Sequence, residues 1–200
     1  MGHSCSSEGA CDGFMELKKQ TAVVLAGGRS TRMGEDKALM DFKDGKSLAS
    51  YVSGRLLAVF DDVYISSKGD KFKDLDKSVK ILLDDSELHS PLIALASVLK
   101  RFKKPVFIQP VDMPNVSANS IKDMFRLSDD FEVVIACEGG RDHNLCGFFS
   151  PNVADKALNL AKSGEHSVGA LLKLCDVIRV ELGGEKEGIN LNSPEDLANA

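Results

Sequence analysis

No apolar run in this sequence is long enough to cross a bilayer, and no excess of basic residues provides the broad positive surface that a nucleic-acid backbone demands. The 200 residues carry a formal net charge of −5, and 43% of them are apolar, enough to bury a full core in water. The expectation is a globular protein with neither a membrane nor a nucleic acid as partner. The five cysteines, at 5, 11, 137, 146 and 175, are odd in number and include no Cys-x-x-Cys pair. That usage fits reduced, structural thiols and a cytoplasmic location better than a disulfide framework or a zinc site. The first residues lack the apolar core of a secretory signal and show no periodicity, so 1–18 read as a flexible leader or cloning remnant, with Met15 a possible natural start. No internal repeat or linker divides the remainder, and 19–200 read as one domain.

Two familiar glycine loops are also missing. A Walker A loop needs four residues between its glycines and then Lys-Ser/Thr, whereas five separate Gly28 from Gly34 and Glu35 comes next. The dinucleotide fingerprint Gly-x-Gly-x-x-Gly fails because Gly27 and Gly28 are adjacent and 29–33 contain no glycine.

What is present is a dense phosphate-facing stretch, Leu25-Ala-Gly-Gly-Arg-Ser-Thr-Arg-Met-Gly-Glu-Asp-Lys37, directly after the apolar run Thr21 to Ala26. Gly27 and Gly28 let the backbone approach a ligand closely, and successive N–H groups in such a turn form an anion nest. Arg32 and Lys37 add a forked and a compact positive charge, a combination suited to a triphosphate whose charge rises as a bond breaks. A plain connecting turn needs one or two of these residues, not the whole cluster. The implied chemistry is phosphoryl or nucleotidyl transfer.

The rest of the chain alternates strand-like and helical patterns. Apolar residues at helical spacing predict helices at 47–60, 90–102, 118–127, 152–162 and 167–175. Short apolar runs predict strands at 21–26, 63–66, 79–83, 105–111, 132–137, 145–150 and 177–182, with Glu138 to His143 a polar turn and Lys68 to Lys77 a charged surface crossing. Such alternation implies right-handed crossovers and a three-layer α/β/α fold with a mainly parallel, Rossmann-like sheet, broken by one antiparallel pair. In such a sheet ligands bind beyond the strand carboxyl ends, where both the glycine stretch and Asp112 fall. On spacing alone Asp112, in Val111-Asp112-Met113-Pro114, suits a turn or a cap as well as a metal.

The glycine stretch resembles the signature of the molybdenum cofactor guanylyltransferases, Leu-x-Gly-Gly-x-Ser-x-Arg-Met-Gly-x-Asp-Lys, within the glycosyltransferase-A-like nucleotidyltransferases. Leu25, Gly27, Gly28, Ser30, Arg32, Met33, Gly34, Asp36 and Lys37 all match. The terminal Asn190-Leu-Asn-Ser-Pro-Glu-Asp-Leu197 resembles the family's Asn-x-Asn-Thr-Pro-Glu-Asp-Leu, with Ser193 for threonine. The resemblance implies transfer of GMP from GTP to molybdopterin or Mo-molybdopterin. It makes Arg32, Lys37 and Asp112 catalytic, with Asp112 the ligand of Mg²⁺, and places Leu25, Ala26, Gly27, Gly28, Ser30, Lys37, Ser66, Asp85, Pro91 and Asp112 around the nucleotide. Either Asp84 or Asp85 could match the guanine-side aspartate. Arg141, Asn190 and Asn192 fall to the pterin side, and molybdoenzymes or their chaperones become candidate hand-over partners. Ser90-Pro-Leu-Ile-Ala94 departs from the family's Gly-Pro-Leu-x-Gly, which leaves CTP-dependent transfer open. A sugar-1-phosphate nucleotidyltransferase and a non-catalytic pterin carrier stay open beside it.

Overall fold

The computed structural model describes residues 8–27, 36–84, 90–192 and 196. Seven strands form one sheet: β1 (Thr21–Leu25), β2 (Asp62–Ser67), β3 (Lys80–Leu83), β4 (Val106–Pro110), β5 (Val133–Glu138), β6 (Arg141–Phe149) and β7 (Val177–Glu181). Their order is β3-β2-β1-β4-β6-β5-β7, and every pairing is parallel except the two made by β6. The mainly parallel three-layer reading is therefore correct, antiparallel pair included.

Period-two alternation divides the apolar side chains between the two faces. In β1, Ala22 and Val24 enter one core and Val23 the other. The first core lies under α1 (Glu8–Lys18), α2 (Leu48–Leu57) and α4 (Ala118–Phe125), and its centre holds Phe60, Phe107 and Phe148, with ring centroids 5.1 to 6.4 Å apart. The second lies under α3 (Pro91–Leu99), α5 (Val153–Lys162) and α6 (Val168–Leu172). Helix starts follow local chemistry. Ser47, Ser117 and Ser167 each cap through their hydroxyls, and Pro91 takes the first turn of α3, where its missing N–H costs nothing.

Two sequence expectations need correction. The leader expected over 1–18 is helical from Glu8, and Leu17 is fully buried in the first core. The helix is further tied down where the Asp61 amide donates to the Lys18 carbonyl, 2.9 Å away. The polar turn expected over 138–143 is much shorter. Gly139 and Gly140, with φ of 56° and 80°, complete the reversal alone, so β6 already begins at Arg141. Glycine tolerates that left-handed backbone, and two such residues are the favoured hairpin connection.

Candidate active site

β1, β2 and β4 run parallel, so their carboxyl ends open at one edge of the sheet, and backbone bonds hold the emerging segments together. The Ala26 amide donates to the Ser66 carbonyl at 2.9 Å, and the Val111 amide to the Leu25 carbonyl at 3.1 Å. A cleft of about 290 Å³ lies there, walled by Leu25, Ala26, Gly27, Lys37, Ser66, Asp84, Pro91, Ala94 and Asp112 among others. Leu25, Ala26, Gly27, Lys37, Ser66, Pro91 and Asp112 are thus brought together as the sequence suggested. Gly28, Ser30, Arg32 and Asp85 lie outside the described residues.

Lys37 opens a one-turn 3-10 helix, Lys37–Leu39, whose start is capped by Asp36 accepting from the Ala38 amide at 3.1 Å. Its ammonium donates to Asn192 Oδ1 at 2.9 Å and stands 3.7 Å from Asp112 Oδ2. Three regions far apart in sequence therefore meet at one charge. Asp112 sits in a turn whose backbone is held on both sides: the Met113 amide donates to the Pro110 carbonyl at 3.2 Å, and the Leu191 amide donates to the Asp112 carbonyl at 2.8 Å. Burial pushes the Asp112 carboxyl above its ordinary value, and the neighbouring Lys37 opposes that rise. Its carboxylate thus turns toward Lys37 from a turn already held by backbone bonds.

A second cavity, about 360 Å³, adjoins the cleft and shares Pro91, Pro110 and Leu145 with it. Arg141, His143, Asn144, Ser167 and Asn190 also line it. Asp142 is occupied by Arg179 through three contacts of 2.9 to 3.0 Å. The two terminal asparagines therefore divide: Asn190 faces this second cavity, and Asn192 binds Lys37.

The sequence points to Asp85 as the acidic nucleotide-side group, with Asp84 as the alternative. Asp84 lines the cleft, largely buried and 2.9 Å from Lys68, and Asp85 lies outside the described residues. Two consecutive aspartates are indistinguishable by pattern. The sequence gives no sign of a role for Lys71, because the charged stretch 68–77 contains four identical lysines. The departure Ser90 does not line the cleft; its hydroxyl meets His166 Nδ1 at 3.0 Å. Ala94, the other departure, does line it.

The family description MobA-like NTP transferase domain matches residues 22–179. The chain belongs to this family. A protein of Campylobacter jejuni named molybdenum cofactor guanylyltransferase is 33% identical over 184 residues, covering 91% of this chain and 95% of its own. An Aquifex aeolicus protein named probable molybdenum cofactor guanylyltransferase is 34% identical over 184 residues, covering 90% and 89%. An A. aeolicus crystal structure matches with a TM-score of 0.72 at 30% identity, covering 88% of this chain and 95% of that one. Molybdopterin-guanine dinucleotide biosynthesis protein A from Archaeoglobus fulgidus matches with a TM-score of 0.75 over 90% and 96%, and at 16% identity it supports the fold alone. This MobA-like domain is a nucleotidyltransferase, an enzyme class that generally uses a divalent metal. No helix among its described residues is long and apolar enough to cross a membrane.

Proposed function

We propose that this enzyme transfers GMP from GTP to the phosphate of molybdopterin, or of Mo-molybdopterin, and releases pyrophosphate. The observation that carries the reading is the Lys37 ammonium, held beside Asp112 and Asn192 at the strand-end cleft. The names of the Campylobacter and Aquifex relatives supply the substrates. In this reaction an oxygen of the pterin phosphate attacks the α-phosphorus of GTP, the bond from that phosphorus to the bridging oxygen breaks, and the electron pair leaves on pyrophosphate. An acceptor phosphate is already ionised near neutral pH, so it needs no general base. The work left to the protein is placement and charge stabilisation. Lys37 neutralises charge growing on the leaving pyrophosphate, the task Arg32 shares by sequence position. Asp84, whose carboxylate is also paired with Lys68, faces guanine N1–H and N2–H, donors that cytosine lacks in that arrangement. Arg141 and Asn190 hold the acceptor in the second cavity.

The donor set fits Mg²⁺. Asp112 is a hard oxygen ligand, and among the described residues no group of three or more His, Cys, Asp or Glu forms a full cage. Mg²⁺ prefers one or two carboxylates plus substrate phosphates and keeps several waters. Bound there, it would supply charge compensation across the phosphates.

The test is pyrophosphate release in magnesium buffer with molybdopterin or its molybdate form, offering GTP, CTP, ATP and UTP separately. Release with GTP is the expected result. Release with CTP alone would overturn the base assignment, and silence with all four would overturn the reaction.

A further inference from the structure

The charged stretch after β2 is not a slack surface crossing. Phe72 and Leu75 pack against the first core. Asp74 accepts from the Ser47 amide at 2.7 Å and the Ser47 hydroxyl at 2.8 Å, and the Asp74 carbonyl accepts from the Ser50 hydroxyl at 2.8 Å. The segment is thereby pinned to the start of α2. From this platform Lys71 reaches toward the sheet edge, its ammonium pairing with the Asp36 carboxylate and lying 3.5 Å from the Ala26 carbonyl. Ala26 and Asp36 are the two residues that bracket the glycine-rich stretch in sequence, and Asp36 is the cap that presents Lys37.

We propose that Lys71 is a positioning residue that clasps the two ends of the phosphate-binding stretch, fixing the Asp36 cap and through it the Lys37 ammonium. This rests on the nucleotidyl-transfer reading. Stability alone gives little reason for the pair. Lys71 and Asp36 side chains are 28% and 33% exposed, and ion pairs open to solvent to that degree contribute little to folding. What the pair does accomplish is geometric. One Asp36 oxygen accepts from the Ala38 amide, and the other is held by Lys71. The carboxylate is then fixed at both oxygens, and Lys37 is the next residue in the chain.

Two measurements test the clasp, one of them independent of activity. In Lys71→Ala, hydrogen exchange at the Ala38 amide should quicken by about tenfold while strand amides of β1 and β4 keep their protection, because only the local cap loosens. The KM for the nucleotide that the wild type turns over should rise about tenfold or more with kcat less affected, since small misplacements of binding groups carry costs of that size. Lys71→Arg should recover most of the loss. Asp36→Asn combined with Lys71→Ala should be no worse than Lys71→Ala alone, because both remove one contact. Lys71→Met, which keeps the apolar stem, controls for lost packing and should behave as the alanine variant does. Unchanged exchange at Ala38, or losses that multiply in the double variant as for a lysine acting directly on phosphate, would overturn the proposal. Wild-type silence with every nucleotide would instead count against the reaction, and the exchange experiment would still decide the clasp.

Discussion

Replacing Lys37 by methionine separates catalysis from stability. The substitution keeps the apolar stem and removes the ammonium that stands 3.7 Å from Asp112 Oδ2 and 2.9 Å from Asn192 Oδ1. At an effective dielectric of about 20, two unit charges at that separation attract by about 4 kcal/mol, which is a ceiling because both groups also give up water and side-chain freedom to meet. Partly exposed pairs of this kind usually retain about 1 kcal/mol or less. For a chain of 200 residues that corresponds to a fall in Tm of about 2–4 °C. The catalytic loss should be much larger, because a preorganised donor aimed at developing charge is worth about two to three orders of magnitude in rate. Pyrophosphate release under saturating GTP and acceptor, alongside calorimetric melting, reads both quantities. Turnover within about threefold of the wild type would refute the assignment of Lys37 to the leaving group. A collapse in Tm would show that the cluster is holding the fold and that the rate loss says nothing about chemistry.

Gly188→Ala tests the acceptor side, because a Cβ there would come within 2.7 Å of His143 Nε2 and also press on the Glu138 carboxylate. The His143 ring is buried and cannot yield freely, so the segment carrying Asn190 should shift. The KM for the pterin should rise by about tenfold while nucleotide affinity holds, and an unchanged pterin KM would remove that segment from the acceptor site. Asp74→Asn should make the protein less stable at neutral pH by about 1 kcal/mol, the usual net worth of such a bond, kept low because the carboxylate is exposed. Partial burial works to raise this carboxyl, but the bonds from the Ser47 amide and hydroxyl outweigh it and hold its pKa below the ordinary value. The contribution is therefore present above the unfolded aspartate pKa of about 3.9 and fades as pH falls through the lower folded value. Denaturant midpoints of wild type and variant should converge in acid, and a gap that stays constant with pH would contradict this account.

Helices were legible from the helical spacing of their apolar residues, as after Ser47 and Ser117, where the structure adds a serine cap at the start. The first helix was not legible, since its clearest anchor among the described side chains is one buried leucine, Leu17, and one residue makes no period. Arg141-Asp142-His143 reads as a turn by polarity, yet it sits in β6 because two glycines suffice for the reversal and the strand's inward position is filled by His143. The glycine stretch pointed to phosphate chemistry from its own residues, whereas Asp112 and the terminal asparagines drew their roles from the family resemblance. That Lys71 reaches Asp36 while Lys68 pairs with Asp84 depends on where Phe72 and Asp74 pin the loop, and that is a tertiary fact.

Under the proposed function, the reversed strand explains how one edge of the sheet can serve two substrates. A purely parallel sheet brings only carboxyl ends to its ligand edge, so each strand contributes the loop at its end. β6 runs the other way, and its first residue, Arg141, therefore stands at the same edge as Asp112, which lies just past β4. The hairpin at Gly139 and Gly140 places a side chain on the second cavity within one residue of a tight turn. The two cavities share the Pro91, Pro110 and Leu145 wall. In-line transfer needs the attacking oxygen and the phosphorus brought within about 3–3.5 Å. Two cavities that share a wall suit that requirement, and the strand inserted antiparallel between β4 and β5 brings Arg141 to the edge where Asp112 stands.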